Sequence, residues 1–271
     1  MSLPPRNRPF ARLPLSFDAA GLRADLASIA PAAWSPHLSD RVHTGECTAV
    51  ILRSKTGAVD DLAAWGTAHE FRDTPLLAQC PHLKAAIDAF LCEKKSVRLV
   101  RLHAGSSLRS FRAADLGVTH HDLRIHIPIA TSSAVELIVA DMTLAAHAGQ
   151  AWHIALGQPC RFVNRGAVDC LFLVIDAVIN DWAIAMLDRA AQEIVSESSE
   201  PLGAASFRAF REQVFDDPAL QARLVAITQP DRFLEAVVSA GAELGFAFDS
   251  LDVESARNRG HRDWMMRTVA L

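Results

Sequence analysis

Residues 98–116 read RLVRLHAGSSLRSFRAADL. This segment predicts a strand, a turn at Ala104-Gly105-Ser106 and a second strand. The pattern continues to about residue 180 in short apolar segments separated by Gly, Ser, Asp and Asn, among them LRIHIPIA (123–130), QAWHIAL (150–156) and CLFLVIDAVI (170–179). Many short strands at this spacing indicate a barrel or sandwich over about residues 97–180.

Helical patterns lie on both sides of the strand region. Leu22, Leu26 and Ile29 recur at helical spacing behind a capping residue, Ser16 or Asp18, and residues 74–91 repeat the pattern. We expect these helices to flank a sheet. Residues 196–206, SESSEPLGAAS, read as a polar joint, and everything after it as helical.

Composition excludes several classes of protein. Of 271 residues, 50% are apolar, and 27 basic against 31 acidic residues give a net charge of -4. This balance argues against nucleic-acid binding. The sequence also contains no run of Lys and Arg of the kind that binds a membrane surface. No membrane-spanning segment or signal peptide is visible, so we expect a cytoplasmic protein. The five cysteines are odd in number and form no CxxC pair, which suits reduced thiols.

The strand region resembles a known family of enzymes. The segments VRLVRLHAGSSL, LRIHIPIATSSAVELIV, GQAWHIALGQP, VNRGAVDCLFLVID and VINDW look like the aspartyl/asparaginyl β-hydroxylases, in one collinear order over roughly residues 10–185. The resemblance implies a cupin-type double-stranded β-helix, mainly β, flanked by N-terminal helices. It also implies iron(II)- and 2-oxoglutarate-dependent hydroxylation of Asp, Asn or Pro. The fold does not by itself establish that activity.

The metal positions implied by the resemblance are altered. The family draws iron ligands from a His-Arg-Asp triplet and from a later Pro-His step. Here the triplet reads Phe111-Arg112-Ala113 and the later step Pro159-Cys160. Phe and Ala cannot ligate a metal, and Cys160 alone is one ligand where two or three are needed. We therefore predict no iron at this position and no catalytic residue.

The co-substrate position is altered as well. In the family, an Arg in the last core strand holds the distal carboxylate of 2-oxoglutarate, and a His follows it. The resemblance places Cys170 at that Arg and Phe172 at the following His. A thiol cannot replace a bidentate guanidinium. The sequence thus predicts an oxygenase scaffold that has lost iron and 2-oxoglutarate, a pseudoenzyme with no cofactor.

Four polar side chains are candidates for a remaining pocket. Arg124 and His126 lie two residues apart, so they share one face of a strand. They form either a site for an anion or peptide carboxylate, with Arg124 as its anchor, or a buried pair satisfied within the chain. Cys160 and Cys170 could join His126, His103 or His153 in a softer metal site, or simply pack as small apolar residues. A nucleophilic cysteine beside a histidine is a further alternative.

The C-terminal segment resembles a second family. Residues 207–257 look like the leader domain of the nitrogen-fixation-associated peptides, through the step Asp217-Pro218-x-Leu220-Gln221 and the pattern Glu243-x-Gly245-Phe246-x-Phe248. Modifying enzymes bind that domain, so a fused copy implies a recognition module. The alternative is a small helical cap. We thus expect a domain at 1–195, a linker at 196–206, an all-α domain at 207–257 and a tail at 258–271.

Three functions stay open from the sequence. The favoured one is a non-catalytic accessory protein that binds a peptide or protein segment, such as a modified-peptide precursor or its enzymes. The second is an enzyme, either an active iron(II)/2-oxoglutarate hydroxylase or one with a rebuilt Cys/His metal site. The third is a structural partner, for instance of an active paralogue.

Overall fold

A computed structural model describes residues 9–36, 43–61, 63, 66–110, 122–155, 160–190 and 198–269. The chain divides into two compact units, Met1–Ser198 and Ser199–Leu271.

The first unit is built mainly from antiparallel strands. Their bounds are β1 (Phe10–Ser16), β2 (Ser35–Pro36), β3 (His43–Thr44), β4 (Cys47–Ser54), β5 (Arg72–Asp73), β6 (Lys94–Leu102), β7 (Ser107–Ser110), β8 (Asp122–Ala130), β9 (Val135–Val139), β10 (Met142–Leu144), β11 (Gln150–Ile154), β12 (Cys160–Asn164) and β13 (Cys170–Val178). A two-residue strand, β14 (Ser198–Ser199), lies where the second unit begins.

These strands form two sheets. One has the order β1-β11-β8-β13-β6-β4-β2, with β5 paired to β4, and the other contains β10-β9-β12-β7-β3. From β6 to β9 and again from β11 to β13 the chain changes sheet at each successive strand. This alternation is the double-stranded β-helix that the sequence predicted. The turn between β6 and β7 is also confirmed, with Gly105 at φ +71°.

Side-chain alternation gives the first sheet two different faces. Odd-numbered residues of β8 and β13, such as Ile125, Ile127 and Leu173, belong to one buried cluster with helical residues. Even-numbered residues of β13, such as Phe172 and Val174, belong to a second cluster with residues of the other sheet. Because successive strand residues point to opposite faces, one face packs on helices and the other forms the barrel interior.

Three helices cover the outer face of this sheet. They are α1 (Ala19–Ser28), α2 (Pro81–Asp88) and α3 (Asp181–Ala190). Of the two predicted caps, Asp18 is the one that caps α1, and it accepts from the backbone N–H groups of Ala20 and Gly21. Buried Asp25 of α1 accepts from the backbone N–H of Leu83 at 2.7 Å and so ties α1 to α2.

The second unit is helical. It contains α4 (Leu202–Asp216), α5 (Pro218–Val225), α6 (Pro230–Glu243) and α7 (Ser250–Val269). Its core includes Phe210, Leu220, Leu224, Val237 and Phe248. The predicted start of a helix at Asp217-Pro218 is confirmed, since Asp217 caps α5 through the N–H groups of Ala219 and Leu220.

The structure differs from the sequence prediction in three places. The β core begins at Phe10 rather than near residue 97, because β1 and β4 join the first sheet. The interval 196–206 includes the start of α4 at Leu202, since Gly203 and Ala204 are buried there. The interval 258–271 continues α7 as far as Val269.

None of the described helices has both the length and the apolar character needed to cross a bilayer.

Candidate functional site

The barrel interior contains an unusual group of charged residues. Arg98 on β6, Arg124 on β8 and Asp176 on β13 occupy alternate positions that share the inner face with Val174 and Phe172. These three strands are neighbours, because the sheet order is β8-β13-β6. The carboxylate of Asp176, on the middle strand β13, therefore has one guanidinium group on each side.

Arg124 and Asp176 form a bidentate ion pair. They are directly opposed in the strand register. Nε of Arg124 donates to Oδ1 at 2.6 Å and Nη2 donates to Oδ2 at 3.0 Å. Their side chains are only 5% and 7% exposed. Burial alone raises the pKa of Asp176, but the two guanidinium groups outweigh it and hold the pKa at about 2.

This pairing changes the role expected for Arg124. Of the two partners considered for it, an acidic residue of the chain or an incoming carboxylate, the structure contains the first. For Arg124 the structure thus contains the second of the two alternatives, a buried pair satisfied within the chain. Its charge is already compensated by Asp176.

Arg98 is the second cation on the same carboxylate. Its Nη1 lies 3.3 Å from Oδ2 of Asp176 and donates to the Ser96 hydroxyl at 3.0 Å. Its Nε is buried without a hydrogen-bond partner. Burial lowers the pKa of Arg98 and the charge of Arg124 acts in the same direction, whereas Asp176 opposes it. Neighbouring Lys95 has its own carboxylate partner, Asp122, at 3.0 Å.

His126 lies beside this ionic group. Its ring centroid is 5.1 Å from that of Phe162, which is in turn 4.9 Å from that of Phe172. Burial lowers the pKa of His126 to about 3, with Arg124 adding to the effect, so the ring is neutral at physiological pH. Its Nδ1 is buried without a partner.

The other two candidate histidines lie elsewhere. His153 is opposed to Ala11 and follows Ala151 by two residues, and both alanines belong to the helix-side cluster. By strand alternation His153 therefore lies on the helix side of the sheet, which corrects its placement in the pocket. Its Nδ1 is 3.3 Å from the carbonyl oxygen of Arg124, and burial lowers its pKa to about 4.

His103 follows the end of β6 and is partly exposed. Its Nδ1 lies 3.3 Å from Asp169 and its Nε2 lies 3.6 Å from Glu46. It thus lies at a strand end between two carboxylates, and not among the interior residues around His126.

Both candidate cysteines are buried in the interior cluster. Burial raises the pKa of Cys160 to about 12 and that of Cys170 to about 12. Arg124 lowers the pKa of Cys160 by a smaller amount, which places this thiol within electrostatic range of the ion pair. The described residues contain no group of three His, Cys, Asp or Glu side chains that could hold a metal ion. Phe111, Ala113 and Pro159 lie outside the described residues.

Sequence reasoning missed three residues that define the interior. They are Arg98, Phe162 and Asp176. A signal was present for Asp176, the one charged residue of the otherwise apolar strand β13, whereas Arg98 lies on a strand with three other basic residues. Such residues are rarely buried unless they are paired.

Comparisons with known proteins give distant structural matches. No protein-family model and no curated protein matches the chain at the significance required. One similar structure is a 2OG-Fe(II) oxygenase-family oxidoreductase from Burkholderia pseudomallei, with 14% identity and a TM-score of 0.45 over 64% of this chain and 86% of that one. Another is a prolyl-4-hydroxylase from Pseudomonas putida, with 12% identity and a TM-score of 0.39 over 64% of this chain and 94% of that one.

A third match is a predicted oxalate decarboxylase from Thermotoga maritima, with 14% identity and a TM-score of 0.28 over 56% of this chain and 98% of that one. At these identities and TM-scores the matches say nothing of activity. The fold assignment rests on the strand order itself.

Proposed function

We propose that this chain is a non-catalytic protein on a hydroxylase-like scaffold, and that it binds a peptide or protein segment. Its role is accessory, in a peptide-modification pathway. The observation that carries the proposal is the filling of the barrel interior by groups that cannot hold iron(II) and 2-oxoglutarate together.

The first support comes from aromatic packing. Phe162 and Phe172 contact each other edge-on inside the barrel, and His126 packs on Phe162. Phe172 is 2% exposed and Phe162 is 4% exposed. At the position where the resemblance expects a histidine next to the co-substrate, the chain thus has a buried hydrocarbon ring that offers no ligand atom.

The second support comes from the thiols. Among the described residues, no three His, Cys, Asp or Glu side chains are grouped so that they could hold a metal ion. Burial raises the pKa values of Cys160 and Cys170 to about 12. They pack as small apolar groups among Leu102, Val139 and Phe172. The donor set in the described interior therefore does not fit an iron(II) centre, and we derive no chemical step through one.

The second unit gives separate support to the peptide-binding part of the proposal. It forms a compact unit of its own. Three of its large apolar side chains, Phe215, Val225 and Leu244, are at least half exposed. Its resemblance to a leader domain suggests recognition of a peptide or of a peptide-modifying enzyme. Removing residues 199–271 should accordingly change which peptides bind, while the melting temperature of the first unit stays nearly constant.

Metal analysis tests the non-catalytic reading. Protein purified without an affinity tag is titrated anaerobically with Fe(II) and Mn(II), and 2-oxoglutarate turnover is followed by succinate formation. We expect no saturable one-site binding and no succinate. Cys160→Ala is the matched variant, and its titration should be identical to that of the wild type.

Two results would contradict the proposal. One equivalent of tightly held metal that disappears in Cys160→Ala would show a rebuilt Cys/His site. Succinate formation coupled to hydroxylation would show an active dioxygenase.

A further inference from the structure

The two residues that flank Val174 on the neighbouring strands each have a buried polar atom without a partner. This residue is opposed to Arg98 on one neighbouring strand and to His126 on the other. Nε of Arg98 and Nδ1 of His126 are both buried without a partner. Such groups are costly to bury, so a pair of them flanking one small side chain points to a missing ligand.

The local charge also lacks an anion. Arg98 and Arg124 share the single carboxylate of Asp176. His126 is neutral and cannot supply a negative charge, and Lys95 is matched by Asp122. Among the five charged side chains of this region, Arg98, Arg124 and Lys95 are positive and Asp176 and Asp122 are negative, so one positive charge is in excess. A buried net charge of this kind favours a bound anion.

The two arginines use their guanidinium groups differently. Arg124 presents its Nε and Nη2 edge to Asp176 as a bidentate fork. Arg98 uses Nη1 for both Ser96 and Asp176, which leaves its Nε edge available. That edge has the geometry that binds a planar carboxylate bidentately. The side chain of Arg98 is 11% exposed, so solvent reaches part of it.

We propose that Arg98 and His126 form a carboxylate-binding subsite over Val174. The carboxylate accepts from the Nε edge of Arg98 and from the Nδ1–H tautomer of neutral His126. It comes from the bound peptide, either from an Asp or Glu side chain or from the C-terminus. This inference rests on the proposed peptide-binding function and names the group that is recognised.

The subsite is distinct from the position assigned to 2-oxoglutarate by resemblance. That position is Cys170, which is opposed to Leu102, whereas Arg98 is opposed to Val174. Four residues along a strand separate Cys170 from Val174, or about 13 Å. Arg98 therefore does not substitute for the missing arginine at position 170.

Peptide binding to the full chain tests the subsite. Three short N-acetylated peptides are compared by calorimetry: an amidated one with a single Asp, one with a free C-terminus and no acidic side chain, and an amidated one with Asn. We expect the first or the second to bind and the third not to bind. Comparison of the first two peptides shows whether the bound carboxylate belongs to an acidic side chain or to the C-terminus.

Arg98→Met removes the fork and nearly preserves the length of the side chain. We expect at least a tenfold loss of affinity, about 1.4 kcal/mol, with a melting temperature that is unchanged or higher because an excess charge is gone. Arg23→Met, on the exposed face of α1, removes the same charge elsewhere and should leave affinity unchanged. An arginine with only a structural role would instead lower the melting temperature and leave affinity unaltered.

A second variant keeps the test decisive if Arg98→Met fails to fold. Val174→Asp supplies a carboxylate from within, so it should fold and should block peptide binding. Val50→Asp places the same group in the helix-side apolar cluster, where we expect strong destabilisation. If Val174→Asp unfolds the chain as readily as Val50→Asp, the subsite does not exist.

The two proposals fail in different ways. Equal peptide binding by wild type and Arg98→Met overturns the subsite and leaves the peptide-binding function intact. Binding of the amidated Asn peptide as tightly as the Asp peptide also overturns it. Iron loading with succinate formation overturns the non-catalytic function whatever the affinity of Arg98→Met.

Discussion

Removing each member of the Arg98–Asp176–Arg124 group should destabilise the first unit in a defined order. Asp176→Asn is the most costly change, Arg124→Met is intermediate, and Arg98→Met is close to neutral. The order follows from the number of charges, because the single carboxylate of Asp176 pairs with two guanidinium groups. Nε of Arg124 lies 2.6 Å from Oδ1, and Nη1 of Arg98 lies 3.3 Å from Oδ2.

The magnitudes follow from what each variant leaves behind. Asp176→Asn leaves two buried guanidinium groups without an anion, and breaking a buried pair in this way costs about 3–5 kcal/mol. Arg124→Met removes two charge-assisted bonds, but Arg98 still faces Asp176, so we expect about 2–3 kcal/mol. Arg98→Met leaves a balanced pair of Arg124 and Asp176, and its effect should be below about 1 kcal/mol.

Urea unfolding at pH 7 followed by tryptophan fluorescence measures these values. The signal comes mainly from the first unit, because Trp34, Trp65, Trp152 and Trp182 precede Ser199 and Trp264 follows it. Trp152 is completely buried, so its emission should shift strongly on unfolding.

Acid adds an independent measurement on the same group. The pKa of Asp176 is held near 2, below its ordinary value of 3.8. The pair therefore stabilises the fold above pH 4 and loses this contribution as the pH falls towards 2, by about 2 kcal/mol. Asp176→Asn should lack this acid-dependent loss. Two results would refute this explanation by charge: an Arg124→Met variant that is less stable than Asp176→Asn, or an Arg98→Met variant whose free energy of unfolding is lower than that of the wild type by more than about 2 kcal/mol.

Three further outcomes are expected. Burial lowers the pKa values of His126 and His153 to about 3 and 4. Because the unfolded state binds protons at higher pH than the folded state does, the free energy of unfolding should decrease as the pH drops below about 6.5. His126→Phe should make this decrease smaller in acid-unfolding curves. The five cysteines are buried, so a disulfide-exchange reagent should titrate none of them quickly in the native protein and all of them in denaturant, and a fast-reacting native thiol at Cys160 would contradict its packing. Asp217→Ala should lower the stability of the second unit by about 1 kcal/mol in thermal unfolding followed by circular dichroism, whereas Asp217→Asn should retain most of it.

Much of the first unit could be predicted from local sequence. Short apolar segments between polar turn residues identified β6, β8, β11 and β13, and helical spacing behind a Ser16 or Asp18 cap identified α1. These signals are local, because a strand or a helix buries one face whose period is visible along the chain. The strands β1 and β4 were missed, since their pairing with β11 and β6 joins segments far apart in sequence.

The candidate site was only partly predictable. The sequence determined that Arg124 and His126 share a face and that Cys160, Cys170 and Phe172 stand where the resemblance expects ligands. It could not show that Arg124 is matched by Asp176, because the register between β8 and β13 sets that contact.

By itself the sequence determined a β core, which the family resemblance narrowed to a double-stranded β-helix, together with the helical second unit and the chemical types of several inward side chains. Only the tertiary structure decided which charges meet. Strand order brings Arg98 and Arg124 to the same carboxylate from opposite sides, places His153 on the helix side and leaves Arg98 with an unpaired donor. The physical reason is that ion pairing in the interior depends on distances of a few ångströms between strands, and such distances have no period along the chain.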